Sequence, residues 1–255
     1  TVRVHDATGV REFTLAQVLR EAGDRFSLLE VLRQVTEAGV VDLIATVAPP
    51  GAFIETLADA PRVTTFVGRR AELEAITRES ETPRVFVVRG VAGIGKSSLG
   101  AKATEVLRGK RNLFWRQVRR WDTHLSILAS LGDFLAAMGK PGLRSVLGRG
   151  AVDRAVQVLR EDLPGTQSFL VMDDAHEASP DALASLRLLK EIIADAPDVC
   201  LLVLTRETLP FYDRRDVVVR GLVHEIELRG LLPEEVEAFL PPKPSRAIFD
   251  VVSQV

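Results

Sequence analysis

The residues best suited to chemistry stand between Arg89 and Ser98, RGVAGIGKSS, directly after the apolar run Val85, Phe86, Val87, Val88. Gly90, Gly95, Lys96 and Ser97 fit the phosphate-cradle spacing G-x-x-x-x-G-K-[ST]. Glycine admits backbone conformations and close approaches that a side chain would block. Successive backbone N–H groups over Gly90, Val91, Ala92, Gly93, Ile94 and Gly95, ending at a helix start with Ser97 and Ser98, make a nest for an anion. Lys96 would reach the β- and γ-phosphates, and the Ser97 hydroxyl would ligate magnesium. A Gly-rich turn can match the same letters by chance. The strand before it and the helix-compatible SSLGAKATEVL after it decide for a nucleoside triphosphate cradle.

Hydrolysis asks for more than a cradle: magnesium must be held, and a water must be aimed at the γ-phosphate. Phe169, Leu170, Val171 and Met172 read as a buried strand, and Asp173 and Asp174 follow it. A carboxylate leaving a strand C-terminus lies on the side where ligands bind in open α/β sheets. Asp173 is therefore the expected magnesium ligand, through the ion's water shell, and Asp174 the group that polarises the attacking water. Thr205 and Arg206 close a further apolar run, VCLLVL, where the arginine could reach the γ-phosphate from the neighbouring strand. His176 comes close behind the acidic pair and could orient water or a loop; loop histidines are more often simple hydrogen-bonding groups.

Elements must hold these residues together. RVFVVRG (84–90), NLFWRQV (112–118), SFLVMDD (168–174) and VCLLVLT (199–205) are short apolar runs, and HEIELRG (224–230) alternates as an edge strand does. Between the second and third runs, Leu125 to Met138 and Val152 to Leu163 keep helical spacing, ended by GKPG and Pro164-Gly165. Ser179-Pro180 supplies a hydroxyl N-cap and a proline at the first helical position. Near-continuous apolar strands separated by amphipathic helices predict an α/β fold with a parallel sheet. The expected strand order is 5-1-4-3-2, counting the strand before the Gly-rich loop as 1.

The first sixty residues read differently. Segments 14–23 and 27–39 look like two short amphipathic helices, and VVDLIATV and AFIETL flank APPG as the arms of a hairpin. Two helices and a hairpin resemble the latter part of a winged helix. The expected division is a winged-helix-like domain over 1–60, with 58–65 as linker, a nucleotide domain over 61–230, and the start of a helical domain over 231–255. The chain opens on Thr1 rather than Met, which reads as a trimmed chain.

Composition excludes several classes. Of 255 residues, 46% are apolar and 27% charged, with a formal net charge of −2, so no general attraction to polyanions follows. Cys200 is the sole cysteine and lies in an apolar run, which fits a buried thiol in a reducing compartment. No stretch has the length of a membrane span and no signal-peptide pattern opens the chain, so a cytoplasmic location is expected.

The order FVGRRAEL (66–73), GVAGIGKSS (90–98), FLVMDDAH (169–176), LLVLTRE (201–207) and ELRGLLPEEVEAFL (227–240) resembles the STAND class of P-loop ATPases. NB-ARC-type switches and bacterial multidomain regulators belong to it. The resemblance implies ATP or ADP with Mg2+ as ligands, slow hydrolysis, and self-association in the ATP state. It implies adenine-side roles for Val67 and Arg69 and a sensor role for Arg206, while DDAH is similar to the regulators' DD-x-H block. Arg70 stands where the family usually has Glu, which puts any contact of that acid in doubt. The winged-helix lid of such proteins is expected beyond Leu240.

Rival classes differ in their motifs. A GTPase would usually show N-K-x-D or T-K-x-D, which the sequence lacks. Replication-initiator AAA+ ATPases share the VGR opening but tend to carry Glu at the position of Asp174. A DNA-binding regulator with a merely structural nucleotide site is the non-enzyme rival. Residues 1–60 hold five arginines, no lysine and nine acids, so a basic face for DNA is not evident and protein docking is at least as well supported.

Overall fold

The computed structural model describes residues 2–6, 9–13, 41–44, 53–78, 84–231 and 235–236. The chain falls into two compact units, 1–54 with 125–163 and 55–124 with 164–255.

The second unit is built on a six-stranded, wholly parallel sheet. Its strands are β4 (Glu55–Thr56), β5 (Val85–Arg89), β6 (Asn112–Gln117), β7 (Ser168–Asp173), β8 (Cys200–Thr205) and β9 (Val223–Glu227), in the spatial order β4-β6-β7-β8-β5-β9. Read from β9, the first five strands follow the expected 5-1-4-3-2 run, and β4 is an added edge strand. β5, β7 and β8 are continuous apolar runs up to their carboxyl-terminal residues Arg89, Asp173 and Thr205, with Ser168 opening β7, because both faces of a central parallel strand are covered.

Side chains alternate between the two faces. On one face Phe86, Val88, Trp115, Val171, Leu202 and Leu204 form a single cluster with Ile76 of α1 (Arg70–Thr77) and Leu99, Ala103 and Leu107 of α2 (Lys96–Leu107). A third helix of this unit, α6 (Pro180–Ala194), packs on β8 and buries Leu186, Leu189 and Ile193. It starts as its sequence predicts, with Ser179 accepting a hydrogen bond from the Ala182 N–H and Pro180 at the first position. The short α7 (Arg214–Val218) opens on a reciprocal cap between Asp213 and Asp216.

The segment 55–66 departs from the expectation of a hairpin arm and free linker. Val41–Ile44 (β3) pairs in parallel with β1 (Val2–Asp6), whereas β4 pairs with Leu113 and Phe114 of β6, so the two proposed arms do not pair with each other. The reason is burial: Leu57, Ala60, Val63 and Phe66 pack against the sheet's apolar cluster. Polar contacts fix the same stretch, with Arg108 paired to Glu55 at 3.0 Å and Asp59 accepting the Gln117 N–H at 3.3 Å.

In the first unit β1 forms an antiparallel hairpin with β2 (Gly9–Phe13) and pairs on its other side with β3, giving the order β2-β1-β3. The helices expected over 14–23 and 27–39 lie outside the described residues, as does most of 231–255. Among the described residues three helices belong to this unit: α3 (His124–Ala137), α4 (Gly142–Gly148) and α5 (Val152–Asp162). Gly132 of α3 lies where an added Cβ would sit 3.1 Å from the Arg144 N, and Asp133 pairs with Arg144 at 3.3 Å.

Candidate functional site

Because all strands of the large sheet run the same way, their carboxyl ends share one edge. Gly90, Gln117, Asp173, Thr205 and Arg206 all stand on or just beyond that edge. The Gly-rich loop joins β5 to α2. Gly95 precedes the helix with φ 99°, a left-handed conformation that costs glycine little, and no side chain caps the helix start. The first N–H groups of α2 are thus left for a ligand. Gly90 is required for a different reason: an added Cβ would meet the Ile94 Cγ2 at 2.9 Å and the Leu228 carbonyl oxygen at 3.1 Å.

Lys96 is the first helical residue and is only 7% exposed. Its Nζ donates to the carbonyl oxygens of Gly90 and Val91, each at 2.9 Å, so the ammonium is held at the mouth of the loop. Burial, then the neighbouring Arg206, pull its pKa below the usual lysine value, against the pull of Asp174 and Asp173. Val91, Ala92 and Gly93 are exposed, while Ile94 packs on the core cluster. Ser98 lies half-buried on the first turn of α2.

Across the edge, the Ser97 hydroxyl donates to Asp173 Oδ1 at 3.1 Å, and the Asp174 N–H donates to the same oxygen at 2.8 Å. Asp173 is buried, and burial pushes its carboxyl above the usual range despite those two hydrogen bonds. Asp174 takes a left-handed conformation with φ 51°, which turns it out of the strand into a 3-10 turn over Ala175–Glu177. Its Oδ2 accepts a hydrogen bond from Gln117 Nε2 at 3.0 Å. Gln117 is the residue that sequence reasoning missed. It lies opposite Asp173 in the β6–β7 ladder, and a polar residue ending an apolar strand beside the acidic strand is the signal that could have found it.

Arg206 is exposed at the end of β8 and exerts charge on both Lys96 and His176. His176 follows in the 3-10 turn, with burial first and Arg206 next lowering its pKa, which leaves the imidazole neutral at pH 7. Lys96, Ser97, Asp173, Asp174 and Arg206 are thus brought to one edge.

Val67 and Arg69 lie in the turn before α1. Phe66, beside them, and Ile94 of the loop pack on the same apolar cluster. The Arg69 guanidinium is committed to Glu72 at 3.3 Å and to the Arg229 carbonyl, its backbone N–H donates to Glu235 at 2.9 Å, and its carbonyl accepts from the Leu73 N–H at 2.9 Å. Both the side chain and the backbone of Arg69 are thus engaged by protein groups, and Val67 beside it is half-buried. Arg70, which departs from the family's usual Glu, points to solvent and pairs with Glu74 at 3.2 Å one helical turn on.

Oxygen donors from a serine and a buried aspartate suit a hard divalent cation, and magnesium is bound by few protein ligands together with water and phosphate. The open helix start, the Gly-rich backbone and Lys96 suit polyphosphate. The residues present therefore fit a magnesium nucleotide.

A parallel sheet in this order, with such a loop between β5 and the helix that follows, is the core of a P-loop NTPase. In fold the chain is similar to a P-loop ATPase of the STAND class. It is similar to the crystal structure of a STAND protein with a tetratricopeptide repeat sensor from Pyrococcus horikoshii, at 27% identity and a TM-score of 0.53. That match covers 70% of this chain and 25% of the other, so the chain spans about a quarter of that protein's length. It also matches Cdc6p from Pyrobaculum aerophilum at 17% identity and a TM-score of 0.45, covering 69% of this chain and 50% of the other. A third match is DnaA from Aquifex aeolicus bound to AMPPCP, at 14% identity and a TM-score of 0.43, over 74% and 57% of the two chains. No protein-family model and no curated protein matches the sequence. No helix among the described residues is long and apolar enough to cross a membrane.

Proposed function

We propose that this chain carries the nucleotide site of a STAND-type switch, binding ATP or ADP with Mg2+ and hydrolysing ATP slowly. The hydrogen bond from Ser97 to Asp173 carries this reading, because it joins the end of the Gly-rich loop to the acidic strand end where a phosphate-bound cation would need both. Backbone N–H groups over Gly90–Gly95 and Lys96 bind the phosphates, and Ser97 and Asp173 hold the cation. When bound, magnesium neutralises phosphate charge. Asp174, steadied by Gln117, orients the attacking water and accepts its proton. Arg206 offsets charge on the terminal phosphate. Val67 forms the adenine side, in the turn that the engaged Arg69 holds in place.

A switch requires that the γ-phosphate favour one arrangement over another. Moving a population from mostly closed to mostly open takes about 5.5 kcal/mol of differential affinity. Contacts from Lys96, Asp173 and Arg206 to a terminal phosphate and its cation are a source of such a difference. The same proposal includes a cytoplasmic setting and self-association in the ATP state. Nine acids against five arginines over residues 1–60 favour a protein partner over DNA there.

The experiment is isothermal titration of Mg·ATP and Mg·ADP into the wild type and Ser97→Ala. Weakening of both nucleotides that disappears when magnesium is withheld supports the site. Equal affinities with and without magnesium in both proteins contradict it.

A further inference from the structure

At the same sheet edge one nearly buried side chain has no hydrogen-bond partner for its polar atoms among the described residues. Only 10% of the His176 side chain is exposed, and neither ring nitrogen has a hydrogen-bond partner among those residues. The nearest carboxylate oxygen, Glu177 Oε1, is 3.6 Å away, and Glu177 is already engaged by Arg120. Most buried polar atoms in folded proteins are matched, and an unmatched one calls for an explanation such as an absent ligand. The surroundings say which ligand. The 3-10 turn carrying His176 packs against β8, and Arg206 at the end of that strand acts on the ring, together with Lys96, Asp174 and Glu177. A ring N–H flanked by Arg206 and Lys96 selects an anionic oxygen.

Position then says which oxygen. The loop over Gly90–Gly95 and the start of α2 would take the inner phosphates. His176 follows Asp173 and Asp174 in the chain, in a turn packed on the strand that ends at Arg206, the group proposed to meet a third phosphate. We infer that His176 donates a ring N–H to the terminal phosphate of a bound nucleoside triphosphate, so that His176 and Arg206 together discriminate triphosphate from diphosphate. This inference rests on the nucleotide site proposed above and adds the group that reads the nucleotide state.

The test compares wild type with His176→Leu, which fills the volume without polar atoms, and His176→Gln, which keeps an N–H donor. Two quantities are read: the melting temperature of the nucleotide-free protein, and calorimetric affinities for Mg·ADP and a non-hydrolysable Mg·ATP analogue. Removing unmatched nitrogens is expected to raise the melting temperature of His176→Leu by about 2–4 °C. The same variant is expected to bind the triphosphate analogue about tenfold more weakly and to leave ADP affinity within about twofold. His176→Gln should recover most of the triphosphate preference. A lower melting temperature for His176→Leu, an equal loss for both nucleotides, or an unchanged preference would each overturn the assignment. If the wild type binds neither nucleotide, the proposed function fails with it. If the wild type binds both and the preference survives in His176→Leu, only the role of His176 is lost.

Discussion

Replacing Gln117 by leucine isolates one hydrogen bond at the centre of the site. Gln117 and Asp173 are neighbours across the β6–β7 ladder, so two strands fix where the amide sits. Its Nε2 donates to Asp174 Oδ2 at 3.0 Å, and Asp174 itself stands in a left-handed turn with φ 51°. Leucine keeps the volume of the side chain, and the backbone N–H to Asp59 is untouched. A hydrogen bond to an ionised group contributes about 1.5–3 kcal/mol. If that restraint acts mainly on the orientation of the attacking water, losing it slows turnover roughly ten- to a hundredfold. Binding should be spared, because Gln117 has no part in holding phosphate or cation. Single-turnover hydrolysis of saturating Mg·ATP, paired with calorimetric affinities, separates the two effects. Unchanged turnover, or nucleotide affinity falling in step with the rate, would refute the role given to Gln117 and with it the assignment of Asp174.

Two further substitutions test the frame around the site. Gly90→Ala brings a methyl group within 3.1 Å of the Leu228 carbonyl, which is backbone and cannot swing aside. It should cost about 1–3 kcal/mol by urea denaturation and weaken nucleotide binding as the loop shifts. Asp216 accepts a hydrogen bond from buried Lys190 at 2.6 Å and pairs with Arg220 at 3.2 Å. Asp216→Asn leaves the Lys190 ammonium with the half-exposed Glu191 carboxylate, at 3.3 Å, as its remaining ion-pair partner among the described residues, for an expected loss of about 1–3 kcal/mol at pH 7. Burial alone would raise the Asp216 pKa, but the hydrogen bond from Lys190 and the nearby charges bring it below the ordinary value. Its stabilising contribution is therefore complete above the unfolded value of about 3.9 and is lost as pH falls through the lower folded value. The gap between wild type and Asp216→Asn should close in that acid window, as urea midpoints measured across pH would show.

Much of the large sheet was legible because its strands are continuous apolar runs and its punctuation is strong. The Ser179-Pro180 start of α6 and the run of β5 into the Gly-rich loop were both read from letters alone. AFIETL was read as a strand, but the partner of β4 was not: Glu55–Thr56 pairs with β6, and its place is set by the burial of Leu57, Val63 and Phe66 that follow. The β1–β2 hairpin was missed although Val2 and Val4 alternate with polar neighbours. In the site, motif spacing found Lys96, Ser97 and Asp173, since each is tied to a local pattern. Gln117 was found only in space: its meaning comes from the strand beside it, not from its own neighbours in sequence. The commitment of the Arg69 side chain to Glu72 and Arg229 was hidden for the same reason.

The most direct test of the phosphate loop is titration of Mg·ATP and Mg·ADP into the wild type and Lys96→Ala under identical conditions. An ammonium that serves the phosphates should leave the wild type binding both nucleotides and the variant binding neither at comparable concentrations. Comparable affinities in the two proteins would contradict the placement of the nucleotide at this sheet edge.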